Sequence, residues 1–431
     1  RLKSLFHRWE YLFGMAQNAG WLTIERVVRL GTGFFVGIWI ATYFGPDVYS
    51  IFTYTFSIVV IFRALAGMGL RSIFVREFVA RPSWRFAYMG SSAAMMGAAG
   101  LLSYFGVLLV VSLLSSGSDN SILLAYILGI QLVLYPTEVV NYFFEAKVKS
   151  KYPVIARLIG FFSGVIIKLI IVFYGGTLVH LAIAYAVEFL LVGVFYLWFG
   201  YQYGVKFRRW QWDAKVARKL FKESRYLVLA AIMVTFYMQM DKPMVYKMVG
   251  ERENGLYSFA VLLAEACYFL PVVISQSAFP NLVASGQRDE QEFLKKIAKL
   301  ARILFFVSVV IALCFTLSAN FLVSILTKGK YADAGPMLQI VIWALPFVSL
   351  GTVQSAYLVN KKLVNYSLYL TGLGTIINLG MNLFLIPRYG GAGAAIATVV
   401  SYAFAGFFGA FFFIKTRPLS WLLLRALSSF R

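Results

Sequence analysis

The sequence predicts an all-α membrane protein that crosses the bilayer twelve times, in two pseudo-symmetric lobes of six helices each. Sixty per cent of the 431 residues are apolar and only 13% are charged, which excludes a soluble globular protein. Apolar windows of about 20 residues, the length that spans a bilayer, recur along the whole chain. They lie at 14–43, 47–71, 86–115, 120–145, 152–174, 177–200, 223–249, 254–284, 300–326, 332–358, 364–386 and 391–414.

The net charge of +22 is distributed along the loops and predicts the orientation of the chain. Thirty of the 40 Lys and Arg residues lie in alternate loops and in the two tails. This alternation follows the positive-inside rule, so both termini and the segments 206–222 and 288–299 are expected to be cytoplasmic. The loops at 117–120 and 328–333 are expected outside. We expect this basic excess to contact membrane lipids, with no nucleic-acid partner.

The two halves of the chain repeat each other. Residues 45–54 align with 250–259 at an offset of 205, and Tyr174-Gly-Gly176 matches Tyr389-Gly-Gly391. Six spans in each half predict parallel repeats related by an axis along the membrane normal. The expected domains are an N-terminal six-helix lobe at 1–205, a cytoplasmic basic linker at 206–222, a C-terminal six-helix lobe at 223–415 and a cytoplasmic amphipathic tail at 416–431.

Charged residues inside the first two spans predict a site for an anion. Glu25, Arg26 and Arg29 lie within the first span and Arg63 within the second, although each intramembrane charge costs roughly 2.5–3.5 kcal/mol. Guanidinium groups bind diphosphates through two parallel hydrogen bonds, so we predict that Arg26, Arg29 and Arg63 bind substrate. The alternative is a structural salt bridge between Glu25 and Arg29, four residues apart. One carboxylate, however, cannot neutralise two guanidiniums.

Charges in spans seven and eight predict a coupling site. Asp241 and Glu265 are candidates for binding a proton or a cation, with Glu25 as a further charge partner, and Lys242 would assist the arginines. Glu265 is slightly favoured, because Asp241 has Lys242 beside it as a neutralising partner. If spans one, two, seven and eight line the interface between the halves, one cavity collects all these residues. Lys168 and Glu188 are predicted to form a structural pair.

The sequence offers no pattern for a metal or another cofactor. Its two cysteines, Cys267 and Cys314, both lie within predicted spans, which argues against a disulfide framework. Its two histidines, His7 and His180, are far apart in the chain, which argues against a metal site.

Three segments resemble the opening of Wzx-type polysaccharide flippases, in the polysaccharide transporter branch of the MOP superfamily. They are Asn18-Ala-Gly-Trp21, Glu25-Arg-Val-Val-Arg-Leu-Gly31 and Tyr43-Phe-Gly-Pro46. The resemblance implies a MATE-like, two-lobed transporter that flips undecaprenyl-diphosphate-linked oligosaccharides, such as O-antigen units, to the outer leaflet. It implies an H⁺ or Na⁺ gradient as the energy source, the bacterial inner membrane as the location, a monomer, and a polysaccharide polymerase as a partner.

Two other functions are weighed against this one. A multidrug or organic cation antiporter of the same superfamily would need a cavity without Arg26, Arg29 and Arg63. A membrane enzyme such as a polysaccharide polymerase would need a catalytic loop on the outer face, where the predicted loops are only a few residues long. The sequence therefore favours a transporter without enzymatic activity, and leaves open the sugar and the coupling ion.

Overall fold

The computed structural model describes residues 2–115 and 120–428, and every regular element in them is a helix. The first half of the chain forms α1 (Leu2–Ala66), α2 (Leu70–Ala80), α3 (Arg85–Leu114), α4 (Ser121–Val133), α5 (Glu138–Ala146), α6 (Lys151–Tyr174) and α7 (Leu178–Gln202). The second half forms α8 (Ala214–Gln239), α9 (Asp241–Met248), α10 (Glu251–Cys267), α11 (Phe269–Arg288), α12 (Glu290–Thr327), α13 (Gly335–Val341), α14 (Ala344–Asn360), α15 (Val364–Gly406) and α16 (Arg417–Ser428). The predicted loop at 117–120, except Asn120, lies outside the described residues, as do Arg1 and residues 429–431.

Nine helical segments of the described residues are long and apolar enough to cross a membrane. An all-helical, multi-pass membrane protein is therefore confirmed, whereas the count of twelve spans and the cytoplasmic termini stay predictions. Two of the helices contain a break in their backbone. Gly45, with φ 77° and ψ 169°, interrupts α1, and Gly390, with φ 58° and ψ −138°, interrupts α15.

The helices form two compact units. Unit 1 contains the chain up to Ile40 and Thr55–Ile232, and unit 2 contains Ala41–Tyr54 and the chain from Met233 onward. A short segment of α1 thus belongs to the second unit. The lobe boundaries at 205 and 223 were inferred from charge and repeat, and they stay predictions.

The hairpin of α6 and α7 forms one side of unit 1. Gly160 and Gly164 let the two helices approach closely, because a Cβ atom at Gly160 would lie 2.7 Å from the carbonyl oxygen of Glu188. A capping box between Thr177 and His180 begins α7. A second group of helices in this unit packs around Phe74, which is fully buried in a core shared by α2, α3, α5 and α8.

Unit 2 is built around α12, α14 and α15. Their buried side chains, among them Leu304, Val353 and Leu370, share one core with the C-terminal helix α16. Leu419 and Leu423 of α16 are fully buried, and the cytoplasmic amphipathic tail at 416–431 stays a prediction.

Candidate functional site

A buried ion pair lies at the centre of the charged residues of unit 1. Glu25 on α1 is 7% exposed, and it accepts two hydrogen bonds from Arg157 on α6. Arg157 donates from Nε to Oε1 and from Nη2 to Oε2, both at 2.6 Å. This is the parallel two-bond geometry in which guanidinium and carboxylate groups bind each other most strongly. Glu25 is thus firmly held by Arg157.

The network continues from Arg157 towards α5. Its Nη1 donates to the Tyr196 hydroxyl at 3.1 Å and to Asn141 Oδ1 at 3.4 Å. Asn141 in turn donates from Nδ2 to Glu138 Oε2 at 2.8 Å. All three nitrogens of the Arg157 guanidinium therefore donate to protein groups, and this cation has little capacity left for a ligand.

Arg29, one turn after Glu25, is held much more loosely. Its Nη1 lies 3.4 Å from Glu25 Oε1 and its Nη2 lies 3.8 Å from Glu188 Oε1. The side chain is 39% exposed, and its guanidinium carbon lies 5.5 Å from the centre of the Phe161 ring. Contacts of this length are weak, so an incoming anion could compete for Arg29.

Lys168 and Glu188 form a buried ion pair at the other end of the network. Lys168 Nζ lies 3.1 Å from Glu188 Oε2, and the side chains are 5% and 10% exposed. The ammonium group also lies 3.6 Å from the centre of the Tyr185 ring, where a cation–π contact adds stability. Gly164 makes room for the pair, because a Cβ atom there would lie 2.8 Å from Glu188 Oε2.

Arg63 is partly buried on the second part of α1, with its guanidinium carbon 5.9 Å from the centre of the Phe189 ring. Among the residues that the structure describes, no carboxylate oxygen lies within 4 Å of its guanidinium. The charges that act on it are those of Glu138 and Arg29. Arg26 is exposed on α1. The structure thus brings Glu25, Arg29 and Arg63 into one charged region of unit 1.

Sequence reasoning assigned no role in the site to Arg157, which lies near the start of the predicted span at 152–174. In the structure Arg157 lies in α6 and its side chain is only 18% exposed. The apolar run Leu158-Ile-Gly-Phe-Phe162 directly after it is the signal that could have placed it inside the helix. The alternative salt bridge between Glu25 and Arg29 is also present, at 3.4 Å, and Arg157 is the closer partner at 2.6 Å.

Asp241 on α9 is the centre of a second polar cluster, in unit 2. It is 5% exposed and accepts hydrogen bonds from Thr398 at 2.6 Å, Asn382 at 2.6 Å and Tyr257 at 2.9 Å. Asn382 also donates to Asn378 Oδ1 at 3.1 Å. Several oxygen atoms therefore surround this carboxylate.

Asp241, Lys242 and Glu265 line one small cavity of unit 2, together with four tyrosines and Thr398. Its volume is about 10 Å³, which is close to the space that one water-sized species needs. In the described part of the chain, Asp241 and Lys242 make no ion pair, and Lys242 lies 3.4 Å from Gln239 Oε1 instead. The alternative in which Lys242 neutralises Asp241 is therefore not observed in this structure.

The oxygen Oδ1 of Asn382 is buried without a hydrogen-bond partner among the described residues. Rotation of the amide by half a turn would direct this oxygen at Asp241, where both the amide oxygen and the carboxylate could bind one cation. The carboxylate, amide and hydroxyl oxygens of Asp241, Asn378, Asn382 and Thr398 are the ligand type that hard cations prefer. The donor set therefore fits a small monovalent cation, or a proton on Asp241.

A family model described as polysaccharide biosynthesis protein matches residues 15–286 of the chain. The chain belongs to this family. Within the polysaccharide biosynthesis protein family, it is 23% identical over 190 residues to the probable low-salt glycan biosynthesis flippase Agl15 of Haloferax volcanii. That match covers 44% of this chain and 40% of the relative, and the chain spans less than half the length of the curated relatives it matches.

The model of the lipid II flippase MurJ matches residues 256–426 of this family member. Two solved structures share its fold. An inward-facing multidrug resistance MATE family transporter of the MOP superfamily has a TM-score of 0.75 at 17% identity, covering 96% of this chain and 100% of that one. The lipid II flippase MurJ in an inward closed conformation has a TM-score of 0.74 at 16% identity, covering 95% and 93%. The resemblance to Wzx-type polysaccharide transporters is therefore confirmed at the level of the polysaccharide biosynthesis protein family, and the solved structures confirm a MATE-like fold.

Proposed function

We propose that this member of the polysaccharide biosynthesis protein family is a flippase for polyprenyl-diphosphate-linked oligosaccharides. Its family, the partial match to a probable glycan flippase and the match to the MurJ model all support a lipid-linked substrate. The sugar and diphosphate would pass through the protein while the lipid tail stays in the bilayer. Movement of a bound headgroup between leaflets requires no bond to be made or broken, so the protein acts as a transporter rather than an enzyme.

The observation that carries this proposal is the difference in pairing among the cations of the charged region around Glu25 in unit 1. Arg157 and Lys168 are each paired with a carboxylate at 2.6 Å and 3.1 Å. Arg29 has only contacts of 3.4 Å and 3.8 Å, and Arg63 has cation–π contact with Phe189. Arg29 and Arg63 are therefore the cations with unused donors, and we propose that they bind the diphosphate, with Arg26 near them on α1. Lys242, on the other unit, stays a sequence-based candidate.

The same cations argue against an antiporter for organic cations. A positively charged drug would approach guanidinium groups that are not neutralised, and like charges in a membrane interior repel strongly. The likeness to a MATE transporter establishes the fold alone, at 17% identity. An anionic substrate is the better match to the charges of unit 1.

We further propose that transport is coupled to a proton or sodium ion at Asp241. The polar cluster around this carboxylate supports the assignment, since its Asn382 oxygen has no hydrogen-bond partner in the described part of the chain. Glu265, which the sequence slightly favoured, has no side-chain hydrogen bond to the described residues and a less complete set of oxygens around it. The geometry therefore favours Asp241 as the coupling residue and Glu265 as a neighbouring charge.

We propose that the protein crosses a cell membrane twelve times. The described residues contain nine apolar segments that could span. The breaks at Gly45 and Gly390 would divide α1 and α15 into two spans each, and α8 with α9 would form one further span, which gives twelve. A monomer in the bacterial inner membrane, with a polysaccharide polymerase nearby, stays an expectation. The curated relatives come from archaea.

The test is transport of a fluorescent polyprenyl-diphosphate oligosaccharide in proteoliposomes. Arg29→Ala and Arg63→Ala should each reduce flipping at least roughly tenfold, because loss of a charge-assisted hydrogen bond costs roughly 1.5–3 kcal/mol. Lys at either position should restore only part of the rate, since it supplies the charge without the two-bond fork. Arg388→Ala is the matched control, because Arg388 is exposed, donates to the carbonyl oxygen of Phe384 and packs on its ring.

Wild-type flipping rates in both Arg29→Ala and Arg63→Ala would refute the anion site. Equal losses in those two variants and in Arg388→Ala would mean that any lost arginine harms the protein. Reconstituted amounts should be compared first, so that a folding defect is not read as a transport defect.

A further inference from the structure

A groove of about 1230 Å³ opens between α2 and α8 of unit 1, separate from the buried charges described above. Its cationic lining residues are one arginine of α2 and five residues of α8. They are Arg76, Lys215, Arg218, Lys219, Lys222 and Arg225. Glu223 is the acidic residue of the lining, and Glu77 of α2 lies beside it. This concentration of positive charge faces a concave surface rather than being spread over a convex one.

Four of these cations form a stripe on α8. Lys215, Arg218, Lys222 and Arg225 follow one another at spacings of three, four and three residues. At 100° per residue they lie within an arc of about 80° on one side of the helix. A stripe this narrow directs all four charges to the same wall of the groove.

The acidic residues of the groove are already used by the other two cations. Arg76 pairs with Glu77 at 3.1 Å and with Glu223, while Lys219 pairs with Glu77 and Glu223. Within the described ranges, no carboxylate oxygen lies within 4 Å of the side-chain nitrogens of the stripe. The groove therefore has four cations in excess, and like charges so close together are unfavourable without an anion.

The walls of the groove are fixed by the fold rather than formed by mobile side chains alone. Ile73 and Phe74 of α2 share a buried core with Val216 and Leu220 of α8. Asp213 caps the first turn of α8, accepting from the backbone nitrogens of Lys215 and Val216 at 2.8 Å and 2.9 Å. The cationic stripe is thus held in place before any ligand arrives.

Aromatic side chains place the groove at the level of lipid headgroups. Trp212 and Tyr226 are each 60% exposed at the two ends of the stripe, and Trp84 is 45% exposed nearby in the chain at the start of α3. Exposed Trp and Tyr are enriched where a membrane protein meets the headgroup region. The charge alternation predicts that this end of unit 1 is cytoplasmic.

We propose that this groove binds the phosphate groups of a lipid at the cytoplasmic surface of the membrane. Four closely spaced cations favour a headgroup with more than one negative charge, and two lipids supply such chemistry: an anionic phospholipid or a polyprenyl diphosphate. Basic pockets beside membrane helices are suited to such headgroups. The site is independent of Arg29 and Arg63, so the proposed flippase function does not depend on it.

The test is equilibrium binding to the delipidated full-length protein in neutral detergent, with three probes. Farnesyl diphosphate represents the polyprenyl diphosphate, cardiolipin with its two phosphates represents the phospholipid, and inorganic diphosphate carries no lipid. Lys215→Gln/Lys222→Gln should weaken binding of the preferred lipid at least roughly tenfold, since each surface cation strengthens binding roughly fivefold. The Arg29→Ala/Arg63→Ala protein should keep this binding, which separates the groove from the anion site.

The matched control is Lys295→Gln/Lys299→Gln, which removes the same charge from exposed positions of α12. Preference for one of the two lipids identifies the source of the phosphate. Unchanged binding of both lipids to Lys215→Gln/Lys222→Gln would overturn the proposal, and so would an equal loss in the control. Binding of inorganic diphosphate as tight as that of farnesyl diphosphate would also overturn it, because the site would then recognise free phosphate.

Discussion

Arg29 and Arg157 contact the same carboxylate, yet they differ in how firmly they are held. Removing one partner of a buried ion pair such as Arg157 and Glu25 costs roughly 3–5 kcal/mol, because the other charge is left uncompensated. Arg29 makes only contacts of 3.4 Å and 3.8 Å and is 39% exposed, so its release costs little. The firm pair positions Glu25, and the loose cation beside it can exchange one anion for another.

At the residue scale, Asp241→Asn is expected to uncouple transport from the ion gradient. Asparagine can still accept from Thr398 and Tyr257, so the cluster should stay folded, but it cannot carry a proton or balance the charge of a sodium ion. Coupling energies between two ligands are roughly 1–3 kcal/mol, which corresponds to 5–150-fold. Gradient-driven flipping in proteoliposomes should therefore fall at least fivefold, while substrate binding changes little.

The control for this variant is Glu265→Gln, which removes a carboxylate from the same cavity. Proton and sodium gradients are imposed separately, so the ion is identified in the same experiment. Equal rates for Asp241→Asn and the wild type under both gradients would show that Asp241 has a structural role. A larger defect in Glu265→Gln would return the assignment to Glu265.

Sequence patterns found Glu25, Arg29 and Asp241 but not all of their partners. An i, i+4 pattern predicted contact between Glu25 and Arg29, whereas the main partner, Arg157, lies 132 residues away in the chain. Asn382 and Thr398, which hold Asp241, also come from distant helices. Charges in apolar segments are visible in a sequence because they are rare there, but asparagine and threonine are common in membrane helices and give no such signal.

At the element scale, the predicted repeat has a structural counterpart in two glycines. Gly45 and Gly250, which align at the offset of 205, both have positive φ and extended ψ, at 77°, 169° and 130°, 178°. Such backbone favours glycine, and each residue directly precedes a helix. The helices that follow contact each other in unit 2, where the Ser258 hydroxyl donates to Thr53 Oγ1 at 3.1 Å. Thr53 and Ser258 are equivalent positions under the same offset.

Close approach of these two helices depends on Gly255. A Cβ atom at Gly255 would lie 2.0 Å from the carbonyl oxygen of Pro46, a distance that no side chain tolerates. Asn254, next to it, donates to the carbonyl oxygen of Ser50 and to Thr53 Oγ1, both at 3.2 Å. The two helices are thus joined by polar contacts that only a glycine at 255 permits.

This contact should be detectable by cross-linking. Thr53→Cys/Ser258→Cys, in a Cys267→Ser/Cys314→Ser background, should form a disulfide on oxidation, because the native oxygens are only 3.1 Å apart. Adding Gly255→Leu should abolish most of the cross-link by separating the helices. Gly380→Leu is the matched control, since nothing lies within 4 Å of a Cβ atom there. Peptide mass spectrometry can measure the cross-linked fraction. Efficient cross-linking in the Gly255→Leu protein would contradict the close approach of the two helices.

The helices themselves were largely predictable, because long apolar windows separated by basic loops are a strong signal. The division into units was not. Ala41–Tyr54 lies in the first half of the sequence but belongs to unit 2. This segment belongs to unit 2 because of contacts such as that between Tyr54 and Tyr246, whose ring centres lie 4.2 Å apart. The spacing of apolar residues in the sequence carries no information about such contacts.

At the scale of the whole molecule, charge distribution and helix breaks together determine the expected topology. The helices of the described residues include nine segments that are long and apolar enough to span, an odd number, which would place the two ends of the chain on opposite sides of the membrane. Twelve spans place them on the same side. The difference depends on three features: the breaks at Gly45 and Gly390, and the crossing of the bilayer by α8 and α9.

Single cysteines can test each feature with a membrane-impermeant maleimide, in the same cysteine-free background. Asp47→Cys and Arg388→Cys, next to the two glycine breaks, should react from outside the cell, because twelve spans place both turns on the outer face. Asp47 has a side chain that is 55% exposed, so the thiol would be accessible. Lys147→Cys and Arg425→Cys should react only after permeabilisation, since basic loops stay in the cytoplasm. Protection of Asp47→Cys and Arg388→Cys in intact cells, together with labelling after permeabilisation, would reject the twelve-span topology.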